Sequence, residues 1–266
     1  MKLDSSKPSA RKLLDSLASS GRHHFTSVEA RGALGASANA TAKALARLMA
    51  QGYLASPERE FYVIVPPEYR SLGCLPAEQF VPALMAEKGL SYYAGLLSAA
   101  QFYGAAHHRP QEFQVLVARN RRPILCGKVR VGFIARKRVD EIPVRRMNTA
   151  RGEIRVSTPE ATAVDLAGYP ERAGGLDQVA TILSELSESI DAALLPQAAA
   201  TAPLVWAQRL GYLLEVAGAQ HAMTALKGYL RERVRDYEPL VSGGSRQGTR
   251  NADWKIIVNT QVEPEA

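Results

Sequence analysis

Cysteine is nearly absent, and its scarcity excludes a disulfide-stapled fold. Cys74 and Cys126 are the only two in 266 residues, too few and too scattered for a disulfide framework, so a reduced, cytoplasmic setting is expected. Long apolar runs are missing as well. Each is broken by a charge or a proline short of the roughly 18 residues that a membrane-spanning helix needs, and no membrane partner is expected. The first residues, MKLDSSKPSARKLLDSLASS, carry acids and no continuous apolar segment, which argues against a signal peptide. Catalytic signatures are equally sparse: there is no P-loop, no GxSxG and no GxGxxG. His23, His24, His107, His108 and His221 never stand with cysteine at metal-ligand spacing, so neither metal nor cofactor is expected.

Basic charge is plentiful but unevenly spread. The net charge is +7; residues 1–70 hold ten Lys/Arg against six Asp/Glu, and residues 107–155 hold thirteen against four. Residues 156–266 reverse the balance, with nine against fourteen. Two basic blocks ahead of an acidic half imply a polyanion partner at one end and a different task at the other.

The first block reads as three short helices followed by a hairpin. SARKLLDSLASS at 9–20 is amphipathic through Leu13, Leu14 and Leu17, and Gly21 stops it. Thr26 or Ser27 can cap a second helix that carries Val28, Ala30 and Leu34 inward, and Ser37 caps a third that ends at Gly52. YLASPEREFYVIVPP then forms two apolar runs around a polar tip. This order is that of a winged helix-turn-helix, expected over residues 1–66. In the third helix Ala42, Leu45, Leu48 and Met49 share an inward face, while Asn39, Ala40, Lys43 and Ala44 are small or polar. Small residues let a helix enter the major groove, where Asn and Lys can reach base edges. Arg47, one turn on, is placed for a phosphate. Ser37, Arg59 at the hairpin tip, and the arm residues Lys7, Arg11 and Lys12 complete the expected DNA-binding set.

Beyond Pro66-Pro67 the chain is mixed. A connecting helix or linker is expected over 67–90, and a larger α/β domain, with a small sheet and several helices, over 91–266. Residues 76–88 and 91–106 read as helices, the second capped by Ser91. EFQVLVAR, GKVRVGFIAR, EIPVRRM and GEIRVS read as four strands, and Ser157-Thr158-Pro159-Glu160 as a capping box that opens a helix through about Gly168. GGLDQVATILSELSESI, PLVWAQRLGYLLEVAG and QHAMTALKGYLRERVRD supply three more helices, PQAAATAP reads as a linker, and DWKIIVN as a last strand. The fold class expected is therefore α+β. The second basic block, Arg119, Arg121, Arg122, Lys128, Arg130, Arg136, Lys137, Arg138, Arg145 and Arg146, reads equally as a solvated sheet face with charged loops or as a surface for phosphate contact. With no interleaved aromatics, base reading is not expected there. Asp253-Trp254-Lys255 resembles the acid-x-Lys pattern of Mg²⁺ nucleases, but that chemistry needs a second carboxylate on a neighbouring strand, and only Asp236 and Glu238 are near.

Several stretches together carry a family resemblance. KALARLMAQGYLASPEREFYVIVPPEYR, SYYAGLLSAAQFYGAAHHRPQEFQVLV, RRPI, STPEATAVDLAGYPERAGGLDQVATILSEL and the closing DWKIIVN resemble the AbiEi antitoxins of type IV toxin–antitoxin (abortive infection, or phage-defence) systems. The resemblance covers nearly the whole chain. It implies an N-terminal winged helix that represses its own operon by binding promoter inverted repeats, with both domains offering positive surface. It also implies a non-enzymatic C-terminal domain that counteracts a nucleotidyltransferase toxin without necessarily binding it. In place of a basic, glycine-containing wing this chain has SPEREF, with Glu58 and Glu60 around Arg59. The alternatives are a nuclease-like nucleic-acid-processing enzyme and a plain transcription factor whose C-terminal half binds an effector.

Overall fold

The computed structural model describes residues 9–105 and 111–264; Lys7 and the His107–His108 pair lie outside them. The chain is mixed α+β, with ten α-helices and three small sheets among the described residues.

Local capping chemistry sets the first three helices. Helix α1 (Ala10–Ser19) begins where the Ser9 hydroxyl accepts the Lys12 N–H at 3.2 Å. A short strand β1 (His24–Thr26) follows, which the sequence pattern had not suggested. Helix α2 (Ser27–Leu34) opens with a full capping box between Thr26 and Glu29 and closes on Gly35 at φ 56°. Ser37 caps α3 (Ala38–Ala50). Strands β2 (Leu54–Glu58) and β3 (Phe61–Ile64) make the hairpin, and β3 lies between β1 and β2 in an antiparallel sheet. Leu14, Phe25, Ala30, Leu45, Leu48, Leu54 and Ile64 form one small core. Two inward expectations fail. Val28 is 64% exposed, and Thr41 takes the buried place expected of Ala42, which is exposed.

The hairpin has a second face. Period-2 alternation sends Ile64 to the three-helix core and Phe61, Val63 and Val65 to a different one. That core is shared with helix α4 (Ala77–Glu87), whose Phe80, Val81, Leu84 and Met85 are fully buried. The helix within 67–90 is thus packed into the body of the protein.

At the centre is a six-stranded sheet, ordered β6-β7-β5-β4-β9-β8. It is made of β4 (Tyr92–Ala94), β5 (Phe113–Val117), β6 (Ile124–Cys126), β7 (Val129–Ala135), β8 (Val144–Thr149) and β9 (Gly152–Ser157). A hairpin at each edge is antiparallel, while β5 pairs β7 and β4 pairs β9 in parallel. Tyr92 and Ala94 face the α4 side; Tyr93 faces the helical side. The continuous helix expected over 91–106 is instead β4, a break at Gly95, and helix α5 (Leu96–Phe102). A β-carbon at Gly95 would lie 2.4 Å from Leu116 Cδ1, and Leu96 has φ 52°, so the chain turns sharply there. Strand β6 also went unread, because Pro123 and the preceding arginines mask its three residues.

Behind the sheet, α6 (Pro159–Gly168) is buried along nearly its whole length. Its cap is Thr158, whose hydroxyl accepts the Ala161 N–H at 3.3 Å. The expected box does not form, because Glu160 is 1% exposed and accepts the Asp191 N–H at 2.9 Å. Around it pack α7 (Leu176–Leu186), α8 (Leu195–Ala199), α9 (Leu204–Val216) and α10 (Gln220–Arg231). Residues 196–199, part of the 196–203 stretch expected as linker, are helical because Leu195, Ala198 and Ala199 are buried among these helices. Strands β10 (Glu238–Pro239), β11 (Thr249–Asn251) and β12 (Ile256–Val258) close the chain as a third sheet, ordered β10-β12-β11.

Candidate nucleic-acid interface

Helix α3 divides cleanly by burial. Thr41, Leu45 and Leu48 are buried, while Asn39, Ala40, Lys43 and Arg47 are exposed and Ala44 is half-buried. Asn39, Lys43 and Arg47, spaced four apart, form one outward stripe. Lys43 and Arg47 make no ion pair among the described residues. Ser37 stands at the head of this face, its hydroxyl committed to the helix cap. Val28 of α2, read from sequence as core, is an exposed apolar side chain on the neighbouring helix.

The hairpin and the arm are less free than the sequence suggested. Arg59 is exposed at a two-residue tip where Glu60 adopts φ 66°. Glu58 does not flank it in solvent. Its carboxylate meets Arg121 at 2.6 Å and Lys88 at 3.3 Å, tying the hairpin to the central sheet. Arg11 pairs with Asp15 at 3.6 Å and lies over the Tyr53 ring at 3.8 Å. Lys12, one residue on, is exposed.

The second basic block does not form one surface. Arg119 and Arg122 are exposed in the β5–β6 loop, on either side of the engaged Arg121. Lys128 and Arg130 are exposed at the β6–β7 turn and the start of β7. Lys137 is exposed; Arg138 is exposed but pairs with Glu141. Arg145 and Arg146 lie outward on β8, at the far edge, with Arg146 3.4 Å from Glu153. Arg136 corrects the expectation of a phosphate contact, being 3% exposed. Its guanidinium meets Asp165 at 2.9 Å and stacks over Trp206 at 4.8 Å. The alternation of β7 held that signal: Arg136 falls on the same face as buried Ile134, and Asp165 is the lone acid in the apolar run ATAVDLAG.

The nuclease-like tripeptide is also placed differently. Asp253 lies in a turn ahead of β12, its carboxylate 2.6 Å from Lys227 Nζ, and Lys255 has φ 53°. Trp254 is buried, with its indole N–H donating to Glu215. Among the described residues, no three His, Cys, Asp or Glu side chains cluster as a metal site would require. No described helix is long and apolar enough to cross a membrane.

No curated protein matches the chain. The crystal structure of the RV2827C protein from Mycobacterium tuberculosis is similar in fold, with a TM-score of 0.66 at 17% identity, covering 95% of this chain and 92% of that one. The solution structure of the antibiotic-resistance factor ANT(2'')-Ia covers 57% of this chain and 94% of that one at 12% identity, but its TM-score of 0.29 carries no argument. The family model of the AbiEi antitoxin C-terminal domain matches residues 93–216. That stretch runs from β4 through α9 and so spans the central sheet and the helices around α6. Residues 93–216 therefore match an AbiEi antitoxin C-terminal domain, which supports a toxin–antitoxin role.

Proposed function

We propose that the protein is the antitoxin of a type IV, phage-defence toxin–antitoxin operon, and that it represses that operon itself. In this reading residues 1–66 are a winged helix-turn-helix that binds inverted repeats in the promoter, with α3 in the major groove. The remainder, α4 included, counters a nucleotidyltransferase toxin, acting by binding or regulation and not by catalysis. The observation that carries the DNA reading is the outward stripe of Asn39, Lys43 and Arg47 on a helix otherwise anchored by Leu45 and Leu48. Asn can pair with an adenine edge, Lys with guanine, and Arg47 is a turn further along, where a phosphate would lie. The exposed Arg59 adds one backbone contact at the hairpin tip.

Mobility-shift titrations on the protein's own promoter test this reading. Asn39→Ala should cost about 1–3 kcal/mol on the operator and much less on unrelated DNA. An equal loss on both would move Asn39 to backbone contact or to structure. The same variant should release a promoter reporter in cells yet still protect them from the co-expressed toxin. Losing both at once in a folded protein would sink the division of labour.

A further inference from the structure

The two cysteines, far apart in sequence, meet in the fold. Cys74 lies in the chain leading out of the hairpin unit, and Cys126 closes β6. Alternation along β6 turns Ile124 and Cys126 into the core shared with α4 and leaves Leu125 70% exposed. Cys74 belongs to the same core and is fully buried. Neighbouring glycines let the two backbones touch. A β-carbon on Gly127, at φ 57°, would lie 2.1 Å from the Leu72 carbonyl oxygen and 2.9 Å from Gly73 Cα. The Lys128 N–H donates to that same carbonyl at 2.7 Å. Both cysteines are free thiols, and the Cys74 S–H donates to the Cys126 sulfur, which the Ser56 N–H of β2 also meets. The Cys74 thiol holds Cys126 below the ordinary thiol value, while the Cys126 sulfur and then burial push Cys74 above it.

We propose that Cys74 and Cys126 form a redox modification site, at which hydrogen peroxide makes a reversible disulfide that clamps the exit of the hairpin unit to the edge of the central sheet. Cys126 is the attacking thiol, because it is 7% exposed and Cys74 is sealed. Its thiolate attacks one peroxide oxygen, the O–O bond breaks, and the departing hydroxide takes a proton to become water. Cys74 then attacks the sulfur of the sulfenic acid so formed. The S–O bond breaks, and the hydroxide leaves with the Cys74 proton as a second water. Two thiols are oxidised and one peroxide is reduced. The loop this bond closes contains α4, β4, α5 and β5, so it spans the join between the hairpin unit and the sheet. The site does not depend on the operator reading.

Treatment of the reduced, full-length protein with hydrogen peroxide tests the proposal. The intact mass should fall by two hydrogens. Digestion without reductant should give one peptide pair joined through Cys74 and Cys126, which dithiothreitol separates. The oxidised protein should melt about 4–16 °C higher, as expected for a bond that closes a long loop without strain. Cys74→Ala should leave Cys126 as a sulfenic acid that dimedone labels, whereas Cys126→Ala should leave Cys74 unlabelled. Mass, linkage and melting are read on the unsubstituted chain, so they decide the matter even where a variant fails to fold. Four results would overturn the proposal: both thiols still open to alkylation in denaturant after peroxide, a disulfide only between two copies of the chain, a lower melting temperature in the oxidised protein, or equal dimedone labelling of the two folded variants.

Discussion

Arg136 and Asp165 sit where one buried pair holds the sheet to its helices. Burial pushes the Asp165 carboxyl up, while the Arg136 guanidinium and the Tyr93 hydroxyl, 2.7 Å away, pull it back down. Burial also raises Tyr93, and the neighbouring carboxylate adds to that shift. Desolvating both ions costs several kcal/mol, so the pair gives little net stability, but breaking it leaves one charge stranded. Arg136→Ala should therefore destabilise the protein by about 3–5 kcal/mol, whereas Arg136→Met combined with Asp165→Leu should come within a few kcal/mol of neutral. Urea denaturation of the two variants measures both values. A loss in the double variant as large as in the single one would assign the cost to packing against Trp206 instead. The buried role of Arg136 also removes one of the ten basic residues from any account of phosphate binding.

At the scale of elements, legibility followed capping and length. Helices α2 and α3 could be placed from Thr26 and Ser37 because a cap is a local hydrogen bond between residues three apart. Strand β1 was unreadable because three residues carry no period. Its reason to exist is tertiary, in the pairing of Phe25 with Tyr62 on β3 and the stacking of His24 on Phe61 at 5.8 Å. The two histidines at the head of β1, His23 and His24, should make the protein sensitive to acid. Burial lowers His23 and His24 below the ordinary value of 6.5, and His23 Nδ1 is buried without a partner among the described residues. Between the lowered values and 6.5 the unfolded chain binds more protons than the folded one, so stability falls as pH drops through that window and is unaffected above it. Thermal unfolding followed from pH 7.5 to 5 should show a smaller acid-induced drop in His23→Gln/His24→Gln than in the wild type. Parallel pH curves for the two proteins would mean that both rings are solvated when folded.

Across the whole molecule, the hairpin unit is fixed to the central sheet by buried Phe61, Val63 and Val65 and by Glu58 bridging to Arg121 and Lys88. In the proposed operator complex, a duplex held by α3 would therefore meet the rest of the protein at a set position, not through a loose linker. Arg119 and Arg122 flank the Arg121 tie at the β6 edge, next to the hairpin. Arg145 and Arg146 lie at the β8 edge, five strand spacings away, or about 24 Å. In that complex the first pair, beside the hairpin, is the one expected to extend a footprint that begins at α3. Each phosphate contact removed should flatten the salt dependence of log K by about 0.9. Arg119→Glu/Arg122→Glu should then reduce the slope on operator DNA by up to about two contacts' worth and weaken random DNA equally. Arg145→Glu/Arg146→Glu should leave the slope unchanged. Equal flattening by both pairs would require the duplex to cross the whole sheet, and no effect from either would confine DNA binding to the hairpin unit alone.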